Sequence, residues 1–301
     1  MKYSGIGGQA VIEGIMMMKG EDYAVAVRRP DKEIEVKKDT YQSITKKAKI
    51  LQLPFVRGVF RFADSMIIGM RSLTYSASFF EDDEDAEPGK FEQFLDRVFG
   101  EKLESAIMAA VLVISFILAI GIFMLLPLGI ANLFKGVITS DHLMAVLEGV
   151  IRIAIFIIYI KLVSRMEDIR RTFMYHGAEH KCINCVEHGH PLTVKYVRES
   201  SKEHKRCGTS FILIVMVISI LMFMVIRVDT IWMRILSRII LVPVIAGISY
   251  EVLQCAGRSN SKFMDLVSRP GMWMQGLTTK EPDDSMIEVA IAATEAVFDW
   301  R

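Results

Sequence analysis

Four apolar stretches divide the chain. Residues 105 to 134 run for 30 positions without a charge, more than the roughly 20 that a helix needs to cross a bilayer. A second stretch runs from about His142 to Val163, a third from Gly208 to Ile226, and a fourth from near Arg238 to about Ala256. Each is predicted to be a transmembrane helix. Pro127 predicts a kink in the first, because proline lacks an N–H and its ring crowds the carbonyl four residues back. Pro243 and Gly247 predict a bend in the fourth. Glu148 and Arg152 stand four apart in the second, so they share a helix face and can pair, which lowers the cost of placing both in lipid. A structural pair and a transport or catalytic role both fit them, and Glu251, in the last turns of the fourth helix, extends the transport reading.

Outside these stretches the periodicity changes. Residues 9 to 38 contain AVIEGIMMM, YAVAVRR and EIEVK, the last two alternating about a turn at Pro30 and Asp31, and predict a small β meander outside the membrane. Gly5, Gly7, Gly8 and Gly14 surround it without the GK[ST] of a phosphate loop, so tight turns are the expected role. Glu13, among apolar residues, is either a water-facing strand residue or a functional carboxylate. From 50 to 80 the chain is rich in Phe, Met and Ile but carries Arg57, Arg61, Asp64 and Arg71, which suits an interfacial or re-entrant helix with snorkelling basic side chains. Near the C-terminus, PGMWMQGLTTKEPDD mixes interfacial Trp and Met with turn residues. SMIEVAIAATEAVF then reads as an amphipathic helix opened by a capping box of Ser285 and Glu288, its stripe of Ile287, Ala290, Ile291, Thr294 and Phe298 expected to dock.

The fold class expected is therefore a mainly α membrane protein, with four transmembrane helices, a small N-terminal β element and a C-terminal amphipathic helix. Its regions are 1–80, the β meander and interfacial helix; 81–104, a linker opening with six acids in residues 81 to 87; 105–257, the transmembrane core with a polar insert at 164–207; and 258–301, the C-terminal segment. An apolar content of 52% and a mean hydropathy of +0.35 agree with that class. A net charge of +1 gives no general attraction to nucleic acid. The expected partners are membrane lipids and a protein partner or protein substrate. Residues 1–80 hold 13 Lys and Arg and residues 161–208 hold 10, so the positive-inside rule puts both termini and the insert in the cytosol of a multi-pass cell-membrane protein. Arg227, Arg234 and Arg238 count against that orientation. In the cytosol the thiols stay reduced and free to bind metal.

The insert concentrates the chemistry. Residues 175 to 211 hold five of the six histidines and three of the four cysteines, the nitrogen and sulfur donors that zinc prefers. HGAEH places His176 and His180 on one helical face with Glu179 beside them, an H-x-x-E-H spacing that in inverzincin proteases supplies two ligands and a general base. Glu251 could add a third ligand. Alternatively Cys182-x2-Cys185 followed by His204-x2-Cys207 has the spacing of a closed zinc ribbon. A third set joins His176 and His180 from one helix to His204 and Cys207 from the next, the latter capped by Ser200 and Glu203. If the second span ran on straight, His176 would stand roughly 22 Å beyond Lys161, so the third set requires the helix to break first. His188 and His190 are expected to be turn residues, His142 a lone outer-face histidine and Cys255 a packed side chain.

The segments GGQAVIEGIMMM, LPFVRGV, YHGAEHK, HKRCGTSF, SYEVL and PGMWMQGLTTKEPDD, in that order, resemble the bacterial integral membrane family YqhQ over nearly the whole chain. The family is sometimes described as a predicted metal-dependent enzyme. The resemblance implies functional positions at His176, Glu179, His180, His204 and Cys207. The family pattern has Thr where this chain has Cys182, which weakens the ribbon. The function expected is a zinc-dependent membrane hydrolase, with His176, His180, His204 and Cys207 as ligands and Glu179 as the catalytic base. Four protein ligands leave no open position, so one of them would have to exchange. The alternative is a membrane-protein biogenesis or assembly factor with a structural zinc.

Overall fold

The structure, a computed structural model, describes residues 3–80, 103–226, 230–259 and 261–298. The acidic run at 81–87 and Arg227 lie outside these residues. The chain divides into two compact units, Met1–Phe80 with Tyr159–Arg301, and Glu81–Ile158.

In the first unit β1 (Ile6–Val11), β2 (Gly14–Lys19), β3 (Asp22–Arg28) and β4 (Ile34–Thr40) form an antiparallel sheet in sequence order. Strand side chains alternate between faces, and here both faces are covered. Ile15, Met17 and Ala26 join one core, whereas Met16, Tyr23, Val25 and Val27 join the other. The unbroken apolar run IMMM follows from that double burial. α1 (Val56–Ala77) closes the second core with Ile68. Its buried Asp64 accepts from Tyr41 Oη at 2.9 Å, Ser43 Oγ at 2.5 Å and Ile44 N at 3.0 Å, which ties the segment after β4 to the helix.

In the second unit the first span is α2 (Leu103–Ile120), a π-helical turn at Gly121–Leu125 and α3 (Leu126–Asn132). Pro127 cannot donate to the carbonyl of Phe123, and Arg152 Nε donates to that oxygen at 3.0 Å instead. Arg152 Nη2 also meets Glu148 Oε1 at 2.6 Å. The expected pair on α4 (Asp141–Val163) thus forms, and its cation also serves the carbonyl that proline leaves open.

α4 ends at Val163, a turn occupies 164–166, and α5 starts afresh over Glu167–Glu187. This is the break that a site at His176 required. α6 (Val194–Glu199) is a short return helix, followed by α7 (Gly208–Val225), α8 (Ile231–Arg258), α9 (Lys262–Thr278) and α10 (Asp284–Val297). Ala110–Asn132, Asp141–Val163, Gly208–Val225 and Ile235–Arg258 are long and apolar enough to cross a membrane. The chain is a mainly α, multi-pass membrane protein with a small N-terminal sheet.

Two local expectations are corrected. PGMWMQGL lies within α9, with Pro270 inside the helix, because its buried face, including Met274 and Gln275, packs onto α7 and outweighs the local breakers. α10 is capped by Asp283, which accepts from Met286 N at 3.0 Å. Ser285 is two residues past the cap position and donates to Asp283 at 2.6 Å, while Glu288 pairs with Arg28 at 2.7 Å. The buried side of α10, Met286, Ile287, Ala290 and Ala293, completes the first core.

Candidate metal centre

α5 carries the H-x-x-E-H pattern on its buried side. His176 Nδ1 lies 2.9 Å from Thr278 O and His180 Nδ1 lies 2.7 Å from Lys202 O. A carbonyl can only accept, so each Nδ1 carries the proton and each Nε2 keeps its lone pair. Metal-binding histidines are oriented in this way. His176 Nε2 stands 3.2 Å from Cys207 Sγ. A nitrogen from each histidine and the Cys207 sulfur all lie within 4.8 Å of one another.

The segment that delivers Cys207 is held by α5 and α9. Lys181 Nζ donates to Arg198 O at 2.7 Å and Ser200 O at 3.0 Å. Asn184 Nδ2 donates to Ser201 O at 2.7 Å and Glu203 O at 2.9 Å. Gln275 then takes both backbone groups of His204, accepting from N at 2.9 Å and donating to O at 2.7 Å. These bonds fix a stretch without regular structure up to Cys207, the N-cap of α7, whose sulfur accepts from Thr209 N at 3.4 Å. The sulfur therefore sits at the positive end of a helix dipole.

Glu179 is buried, and its Oε2 has no hydrogen-bond partner among the described residues. Burial raises its pKa to about 7, against the opposing pull of His176. Two glycines make the packing possible. A Cβ on Gly8 of β1 would stand 2.8 Å from Glu179 Cγ, and one on Gly177 would stand 2.0 Å from Lys280 O. Gly8 is thus part of the wall around Glu179 rather than a turn residue, which no local pattern in the sequence signals.

The profile of the family described as "Protein of unknown function (DUF1385)" matches residues 53–300. The chain belongs to that family. It is 34% identical over 286 residues to the uncharacterized protein YqhQ of Bacillus subtilis (strain 168), covering 95% of this chain and 89% of that one, in agreement with the resemblance carried by the quoted motifs. No solved structure matches it significantly.

In this DUF1385 chain the other candidate residues lie as follows. His204 is next to His180, ring centroids 5.9 Å apart, but outside the group of three. Its Nε2 faces Glu187 Oε2 at 3.4 Å. Burial lowers the pKa of His204 despite that carboxylate, so the ring is neutral and donates. Burial alone would raise the pKa of Glu187, but hydrogen bonds from His204 and Arg206 outweigh it and hold it well below the usual range. His204 is also not helical: residues 200–207 form no helix, and Ser201 Oγ, not a Ser200 cap, accepts from Glu203 N at 3.1 Å. The ribbon set does not assemble among the described residues. Cys182 and Cys185 face the apolar core, where burial raises both thiol pKa values, and Cys185 Sγ is 3.5 Å from Pro191 O. Glu251 is taken by Arg57, at 2.6 and 2.7 Å, so it is no ligand to this centre. Glu13 is a turn residue with positive φ that pairs with Arg171 and accepts from Tyr175 Oη at 3.3 Å. Its role is to tie the β1–β2 turn to α5. His188 lies just beyond the end of α5 and Cys255 is exposed on α8.

Proposed function

We propose that this protein is a metal-dependent membrane hydrolase whose zinc is held by His176, His180 and Cys207. The observation that carries this reading is the convergence of these donors with both histidine Nδ1 protons already committed to backbone carbonyls. Such a pre-set nitrogen, nitrogen and sulfur group suits zinc better than harder ions. His204, engaged with Glu187, supports a set of three protein ligands instead of four. When bound, zinc would supply Lewis acidity at an open fourth position. Glu179 acts as the base at Oε2, the oxygen without a partner. In this reading Lys181, Asn184 and Gln275 hold Cys207 in place, and the centre faces the cytosol.

The second reading, an assembly factor with a structural zinc, is favoured by the burial of His180 and Cys207, 1% and 5% exposed. One experiment separates the two. The full-length protein is purified in detergent, and its metal is measured beside His180→Ala, Cys207→Ala and Glu179→Gln. The hydrolase reading expects about one zinc per chain, its loss in the first two variants, and retained zinc with lost cellular function in Glu179→Gln. Retained function in Glu179→Gln favours the structural zinc, and a wild-type protein without stoichiometric metal sinks both.

A further inference from the structure

Where α7 begins and α8 ends, two cavities share Lys205. The first is an apolar groove of about 320 Å³ between α7, α8 and α9, with Leu213, Val217, Val252 and Val267 in its walls. Along α7 it runs from Ser210 to Ile218, about 12 Å of helix, close to the roughly 15 Å depth of one leaflet. Because α7 and α8 are both apolar enough to cross the membrane, this groove opens to hydrocarbon rather than water. The second is a polar pocket of about 50 Å³ bounded by Tyr3, Glu187, His204, Arg206 and Arg258, with room for a few waters or one small anion. Arg206 stands just before α7 and Arg258 is the last residue of α8, so the pocket is at headgroup depth.

The charges in the polar pocket do not cancel. Arg206 is neutralised by Glu187 at 2.5 Å, and Lys205 by Asp265 at 2.5 Å. Arg258 lies over the Tyr3 ring at 5.7 Å and forms no salt bridge among the described residues; the carboxylate that feels its charge, Glu251, is held by Arg57. Among the described residues one positive charge therefore remains, next to an apolar groove of leaflet depth.

We propose that the two cavities form a single binding site for an anionic phospholipid. Its phosphate sits beside Arg258 and Lys205, and one acyl chain lies in the groove. A free phosphate would leave the groove idle, and a zwitterionic lipid brings its own ammonium to a site with surplus positive charge. The site needs no metal at the His176 centre, so it stands or falls separately from the hydrolase reading.

The test is native mass spectrometry of the full-length protein in mild detergent, titrated with phosphatidylglycerol, phosphatidylcholine or glycerol 3-phosphate. Phosphatidylglycerol is expected to bind about fivefold more tightly than phosphatidylcholine, the contribution of one interfacial arginine, and glycerol 3-phosphate is expected not to displace it. Arg258→Ala should erase the preference and Arg258→Lys should keep it. Val217→Phe, which fills the groove, should weaken both lipids, with circular dichroism confirming the fold of every variant. Equal binding of the two lipids overturns the proposal. So does a preference that survives Arg258→Ala, lipid affinity unchanged in Val217→Phe, or displacement by glycerol 3-phosphate.

Discussion

Ile287 and Ile117 are the same side chain on two helices, yet one is 0% and the other 61% exposed. Ile287, on α10, is enclosed by the sheet and α5, where the apolar core orders the structure. Ile117, on α2, faces what must be lipid, and only 11% of the first span's most apolar window is buried by protein. Lipid tails are as apolar as isoleucine, so packing one against the other gives little preference for one arrangement. Specificity between the first two spans falls to polar contacts, and Arg152 supplies them by joining Glu148 to the carbonyl that Pro127 leaves open. Around the sheet water does the ordering and polar groups are placed for a site. Between the first two spans polar groups do the ordering themselves.

The largest effect should come from Arg152→Leu. It leaves Glu148 and the Phe123 carbonyl without this donor inside the membrane and should cost about 3–5 kcal/mol in equilibrium unfolding in detergent. The Glu148→Leu, Arg152→Leu double variant should recover much of that loss. Equal losses in the two proteins would mean that the pair is not the ordering contact. Next comes Ile287→Ala, expected to cost about 2–5 kcal/mol, whereas Ile117→Ala should stay within about 0.5 kcal/mol. Matching values would erase the distinction between the two environments. Glu187→Gln removes a carboxylate bonded by an arginine and a histidine, worth about 1.5–3 kcal/mol. The folded pKa of Glu187 lies below the ordinary 4.5, so its stabilisation is present above that value and fades as pH falls below it. Thermal melts from neutral to acid pH should accordingly be flatter for the variant. Smallest is Gly8→Ala, at about 1–3 kcal/mol. If the hydrolase proposal holds, it should displace Glu179 and reduce activity while leaving metal content intact, and lost metal would instead place Gly8 in support of the ligands.

The parts of the fold visible in the sequence were those encoded over short distances. The apolar spans, the meander and the His176, His180 spacing on α5 each need only a period or a run. The break before His176 was legible only as a condition of the third ligand set, since an unbroken helix would carry the histidine too far from Cys207. What local pattern could not supply were partners far along the chain. Nothing near Gly8 indicates that it will face Glu179, and nothing near Glu251 indicates that Arg57 will take it. His204 looked helical because Ser200 and Glu203 have cap spacing, but Gln275, 71 positions later, takes the backbone N–H and carbonyl of His204. Tertiary bonds overrode a local signal there, as packing onto α7 did for Pro270.

The bond from His176 to Thr278 spans 102 positions, and synthesis runs from the N-terminus. When His176 leaves the ribosome, the carbonyl that will orient its ring has not yet been made. Cys207 and Lys202 arrive sooner, but the first histidine stays unoriented until two further spans have been threaded into the membrane and α9 has followed them. The finished donor group therefore exists only on a chain whose last span is already inserted. An ion captured there would mark the end of assembly, and a truncated chain would lack the means to hold it.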